Sequence, residues 1–127
     1  MPPEHTRRAR EILGPGKLLA PEQAVVLETD AARARAVARG YMQIYLGLPN
    51  YARNLLSLGF TAGDLANGGS ERLVDAIVAW GDVDAVARRV HEHLERGADH
   101  VCLQVLDENP AVPPRRQWRV LAEALLR

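Results

Sequence analysis

The chain has 127 residues, sixteen basic and sixteen acidic side chains, and a hydrophobic fraction of 47%. That length suffices for one small domain with a core, and the cancelling charges leave no basic excess for nucleic acid and no polybasic block for an anionic membrane. The single cysteine, Cys102, excludes an internal disulfide and a thiolate zinc cage. No apolar run is long enough to span a bilayer and the N-terminus has no signal-peptide pattern, so a soluble cytoplasmic protein is expected.

A short helix opens at Met1-Pro2-Pro3-Glu4, where proline fits a first turn and Glu4 complements the dipole. Ala9, Ile12 and Leu13 supply its inner face, and Gly14-Pro15-Gly16 stops it. Gln23–Glu28 is the first strand. Thr29 or Asp30 can cap the next helix, whose inner stripe is Ala34, Val37, Ala38, Tyr41 and Tyr45. Gly47 and Pro49 end it, and Asn50 can cap a further helix in which Tyr51, Leu55 and Leu58 share a face.

Thr61-Ala62-Gly63-Asp64 has the outline of a capping box, with aspartate in place of the usual glutamate. Ser70 caps a helix predicted over 71–79, with Leu73, Val74, Ile77 and Val78 inward. Asp82 caps the next one, in which Val83, Val86, Ala87, Val90 and Leu94 form the apolar stripe. Arg88, Arg89, Glu92, Glu95 and Arg96 are read as its solvated side. Gly97 ends the helix, and 101–106 follows as a strand covered on both faces, with Cys102 a small core residue. A proline-rich loop, 109–114, leads to a last helix over 115–127 that buries Trp118, Leu121, Ala122 and Leu125.

The count is about two strands and five or six helices, an α/β pattern with the two strands parallel and adjacent. Their crossover is expected to be right-handed. About 70 residues separate the strands, where a plain crossover needs a dozen or more, so 31–81 reads as an insertion. Two parallel strands cannot hide their own edges and faces. The chain therefore looks like part of something larger.

Four phrases together resemble the C-terminal region of the luciferase-like (LLM class) flavin and deazaflavin oxidoreductases. They are ILGPGKLLAPEQAVVLETD (12–30), YLGLPNYARNLLSLGF (45–60), GGSERLVDAIVAWGD (68–82) and GADHVCLQVL (97–106). The closest group is similar to the members that use coenzyme F420. The resemblance implies the last part of a (β/α)8 TIM barrel, with the two strands like its seventh and eighth. It implies one partial domain over 1–127, and hydride transfer between F420, or alternatively FMN, and a small organic substrate. A barrel takes roughly 250 residues, so most of the cofactor pocket would lie elsewhere, and neither cofactor is expected to bind this chain tightly. The other class of function is a non-catalytic remnant acting as a small helical interaction module. Its expected partner is a second copy or the missing N-terminal half, because apolar strand faces and unpaired edges favour association.

Active sites of barrels sit at the carboxyl ends of the strands, here Glu28-Thr29-Asp30 and Gln104 to Asp107. The insertion is expected to reach the same end with Tyr45, Asn50, Tyr51 and Asn54. Leu48-Pro49-Asn50-Tyr51 and Asn54 match the turn and asparagine-bearing helix of the family, while Arg53 stands where a second asparagine is expected. The substrate-side candidates are thus Asn50, Tyr51, Asn54 and Gln104. A cap or turn role is the preferred account of the asparagines, and core packing that of the tyrosines. His91 and His93 are two apart on a helix, cannot form a zinc pair, and read as solvated surface. No metal site is expected, and catalytic and cofactor-binding residues are not assignable from spacing.

Overall fold

A computed structural model describes residues 1–126. Among them lie seven α-helices and three strands. The order is α1 (Pro3–Leu13), β1 (Glu22–Val26), α2 (Ala31–Leu46), α3 (Pro49–Ser57), α4 (Ala62–Leu65), α5 (Glu71–Ile77), β2 (Val78–Trp80), α6 (Val83–Glu95), β3 (Cys102–Val105) and α7 (Arg115–Leu125), with a 3-10 turn at Ala66–Gly68. Arg127, predicted as the last residue of the final helix, lies outside the described residues.

Local chemistry starts most of these helices. The carboxylates of Asp30 and Asp82 and the hydroxyl of Ser70 each accept the N–H three residues on, at 2.9, 2.9 and 3.1 Å. Thr61 and Asp64 form both halves of a capping box. Asn50 does not cap α3; Leu48 holds that position and Pro49 the first turn.

The strands form one parallel sheet in the order β2-β1-β3. Ala24 pairs with Val78 on one side and with Gln104 on the other. The expected parallel neighbours are therefore present, and a third strand joins them. The prediction had carried a helix through Val78 and Ala79; α5 ends at Ile77 and the chain passes straight into β2. A short apolar run fits a buried helix turn and a buried strand equally well.

Side chains of β1 alternate between two cores. Ala24 and Val26 pack against Ala34, Ala38 and Met42 of α2, Leu55 of α3 and Leu73 of α5. Val25 packs with Ala79 against Val86 of α6 and Leu121 of α7. Helices thus cover both faces of an open sheet. In a barrel, one face of the sheet turns inward onto other strands, so this architecture is three-layered α/β and does not display a barrel fragment. The step from β1 to β2 and the return past β1 to β3 run in opposite directions and use opposite faces, so both crossovers have the same hand.

Four further expectations give way. Val101–Leu106 is not covered on both faces: β3 is an edge strand, and Cys102 and Gln104 are exposed. Ile12 is 85% exposed and Leu13 is exposed too, because α1 meets α6 through Thr6 and Arg10 instead of its last apolar turn. Trp118 and Ala122 lie outward on α7, where only Leu121 is buried. Arg89 and His93, assigned to solvent, turn toward β1 and α5.

Arg10 stitches the amino-terminal segment down. Its guanidinium donates to the carbonyls of Gly97 (2.8 Å), Gly14 (2.7 Å) and Lys17 (2.9 Å) and to Asp99 Oδ2 (2.6 Å). The close approach requires glycine at 97, where φ is +102° and an added Cβ would stand 2.7 Å from Arg10 Cγ.

Among the described residues, no helix is long and apolar enough to cross a membrane.

Candidate functional site

Ligands of open α/β sheets bind beyond the carboxyl ends of the strands, where neighbouring connections leave for opposite faces. This sheet has two such points, one on each side of β1. The chain leaves β1 toward α2 on one face, and leaves β2 and β3 toward α6 and α7 on the other. Two adjoining crevices result. One, of about 330 Å³, lies between the ends of β1 and β2 and includes Leu27, Glu28, Thr29, Gly81 and Asp82. The other, of about 170 Å³, lies between β1 and β3 and includes Glu28, Arg33, Asp107 and Glu108. Glu28 and Gln117 line both.

Turn chemistry sets the walls. Gly81 has φ +128° and an added Cβ would meet Ala85 Cβ at 3.0 Å, so glycine lets Asp82 fold back onto its cap. After β3, Asp107 Oδ1 accepts from Asn109 N (3.2 Å), and Asn109 Oδ1 from Ala111 N (3.1 Å). These are side-chain turns that shape a loop without further help. Asp107 also takes the Gln117 amide at 2.6 Å, which ties that loop to α7. Arg33 reaches Glu28 at 3.5 Å and Glu108 at 3.3 Å. Glu28, Asp82, Asp107 and Glu108 outnumber Arg33 and Arg116, so the edge favours hydroxyl, amine or cationic groups over anions.

A separate cleft of about 250 Å³ opens at the other end of the sheet, beside Pro21 and Glu22 at the start of β1 and Ile77 before β2. Tyr41, Tyr45 and Tyr51 line it, with successive ring centroids 5.1 and 5.0 Å apart. The Tyr41 hydroxyl donates to Glu22 Oε1 at 3.1 Å. Burial and the nearby Glu22 carboxylate hold it well above the ordinary phenol range.

The four sequence candidates do not converge. Helix α2, sixteen residues long, spans about 24 Å at 1.5 Å per residue, whereas the five residues of β1 span roughly 17 Å. The helix therefore runs the whole length of the sheet and delivers α3 to the amino end. Tyr51 lines the aromatic cleft there, while Asn50 and Asn54 are exposed along α3. Gln104 faces a further groove of about 740 Å³ between β3 and α2, shared with Tyr41. Glu28 and Asp107 stand where the strand ends were expected. Gln117 was missed, and nothing in its local spacing marks it.

A buried polar chain links α1, β1 and α6. His93, 0% exposed, bonds Thr6 Oγ1 through Nδ1 and Gln23 Oε1 through Nε2, both at 2.8 Å. Gln23 Nε2 donates to the carbonyls of Ala24 (2.7 Å) and Ile77 (2.9 Å), so its Oε1 accepts. His93 is therefore protonated at Nε2, and Nδ1 accepts the Thr6 hydroxyl. Burial, and then the Arg89 charge, push its pKa down to about 4. Arg89 itself donates to the carbonyls of Asp75 (2.7 Å) and Ala76 (2.9 Å) at the end of α5. The signal in the sequence was the four-residue step from Arg89 to His93, which puts both on one helix face.

Among the described residues, no group of three or more His, Cys, Asp or Glu side chains converges as a metal site. No family model, curated protein or solved structure matches this chain.

Proposed function

We propose that this chain is the C-terminal portion of a luciferase-like oxidoreductase, one that passes a hydride between coenzyme F420 or FMN and a small organic substrate. The observation that carries the reading is the side-by-side parallel pairing of β1 and β3, the arrangement that the resemblance implies for the last two barrel strands. Their carboxyl ends, with Glu28, Asp107 and Gln117, would form one wall of the pocket. The cofactor would supply the redox chemistry, and these side chains would orient the substrate by hydrogen bonds. On this reading β2 takes the edge of β1 that a sixth barrel strand would occupy, α2 to α5 cover the face that a barrel turns inward, and the remaining wall comes from strands outside this chain.

The test joins sequence to spectroscopy. The reading requires an in-frame upstream segment coding for about six further strand–helix units. The longer protein should bind F420 or FMN in a spectral titration with one-to-one stoichiometry. No such segment, or no binding by the longer protein, would overturn the reading. A second reading, a non-catalytic interaction module, is favoured by one observation, the open edge of β3. That reading stands if the protein neither extends upstream nor binds either cofactor.

A further inference from the structure

Strand β3 ends the sheet on one side, and its outer edge is free. Cys102 and Leu106 donate their N–H groups toward β1, to Pro21 O at 2.9 Å and Val25 O at 2.8 Å. Alternation along the strand then turns the N–H and C=O groups of Leu103 and Val105 the other way, where no strand among the described residues takes them. The opposite edge differs: β2 is three residues long, and Val78 and Ala79 are buried.

The β3 edge carries none of the usual protection. Its sequence, VCLQVL over 101–106, has no charge, proline or glycine, and an unprotected apolar edge is a template for another strand. Grooves flank it on both faces of the sheet. Toward α2, Gln104 and Leu106 look across about 740 Å³ at Ala36, Val37 and Gly40. Toward α6 and α7, Leu103 and Val105 adjoin about 540 Å³ rimmed by Leu94, Trp118 and Leu125. A strand laid along β3 would send its side chains alternately into the two grooves.

We propose that the occupant is β3 of a second copy of this chain, antiparallel, about a two-fold axis at Gln104. The edge is self-complementary in that register. Leu103 stands opposite Val105 of the second copy and Val105 opposite its Leu103, and each such pair exchanges both of its N–H···O bonds. The two Gln104 residues meet at the site between, with Cα atoms about 4.5 Å apart, and their amides can bond each other in the α2-side groove. The formal net charge of zero removes the long-range repulsion between copies that a charged protein would meet. The sheet becomes six-stranded and continuous. This inference concerns the chain as it stands and does not rest on the oxidoreductase reading.

The test turns on Gln104, whose exposed side chain can be changed without touching either core. Sedimentation of the wild-type chain over a concentration series should show a monomer–dimer equilibrium. Gln104→Cys in a Cys102→Ser background should form a disulfide dimer under mild oxidation, because the expected spacing suits the bond. Gln104→Lys and Gln104→Glu should each weaken the dimer about tenfold or more, since like charges would face each other. An equimolar mixture of those two should restore a one-to-one dimer. A wild-type chain that stays monomeric throughout overturns the proposal, as does a dimer that neither cross-links at 104 nor responds to the charge pair.

Discussion

Acidification should weaken the fold through His93 well before the carboxylates titrate. The ring is fully buried with both nitrogens engaged. A second proton would put a donor at Nδ1 and force Thr6 Oγ1 to turn from donor to acceptor. Its pKa lies at about 4 in the folded chain, against roughly 6.5 for an unperturbed histidine. Because the folded value is the lower one, the unfolded chain binds the proton first. The stabilisation is therefore complete above about pH 6.5 and is lost as the pH falls toward 4. A gap of about 2.5 between the two values, at about 1.36 kcal/mol for each, amounts to about 3 kcal/mol. That is a large share of a net stability of roughly 5–15 kcal/mol. His5, also lowered by burial, adds to the same window. Asp75 and Asp99, held below the usual carboxylate range by Arg35 and by the Leu19 N–H respectively, act only at lower pH. Urea titrations followed by circular dichroism at steps from pH 7.5 to 4.5 measure the slope, and His93→Gln should remove most of it. A His93 ring that titrates near 6.5 in NMR spectra of the folded chain, or an unchanged slope in the variant, would refute the reasoning.

Three other outcomes are expected. Gly97→Ala should lower stability by at least about 1–2 kcal/mol in thermal melts, from the left-handed backbone alone, with the approach of Arg10 adding to it. Arg10→Ala should cost about 1.5–3 kcal/mol, the range for bonds to a charged donor, and hydrogen exchange should rise at Leu19, whose N–H donates to the Asp99 carboxylate that Arg10 holds. Asp82→Ala should cost about 1 kcal/mol by loss of the α6 cap, whereas Asn50→Ala, at an exposed non-capping position, should change little.

What was legible in the sequence was what local rules decide. Ser70, Asp82 and the Thr61–Asp64 box were placed correctly, and Asp30 was one of the two caps offered for α2, because a cap needs only its own next few residues. The strand at Gln23–Glu28 was legible too, as a short run of apolar and β-branched residues. Burial was less legible, because it depends on which element arrives from far along the chain. Trp118 looked like a core residue but sits 49% exposed, while His93 on a charged stretch is sealed under α1. Strand position was the other gap: Val101–Leu106 has the composition of an interior strand yet lies at the edge, because the third strand, β2, joins the far side of β1 and not β3. The strand ends holding Glu28 and Asp107 were identifiable as the carboxyl edge of the sheet, but Tyr51 went to the far end because the length of α2 carried it there.

The central position of β1 also bears on how the chain is made. Its partners are residues synthesised much later: Ala24 waits for Val78, and Glu22 for Cys102. On a ribosome, β1 emerges before either of the strands that flank it in this sheet. Helices α2 to α5 can cover only one of its faces in the meantime, since α6 and α7 come last. Such distant pairings slow folding, and an unpaired strand left waiting is where a nascent chain associates with its neighbours. Arranged as β2-β1-β3, the sheet can close only after Val105 has been made.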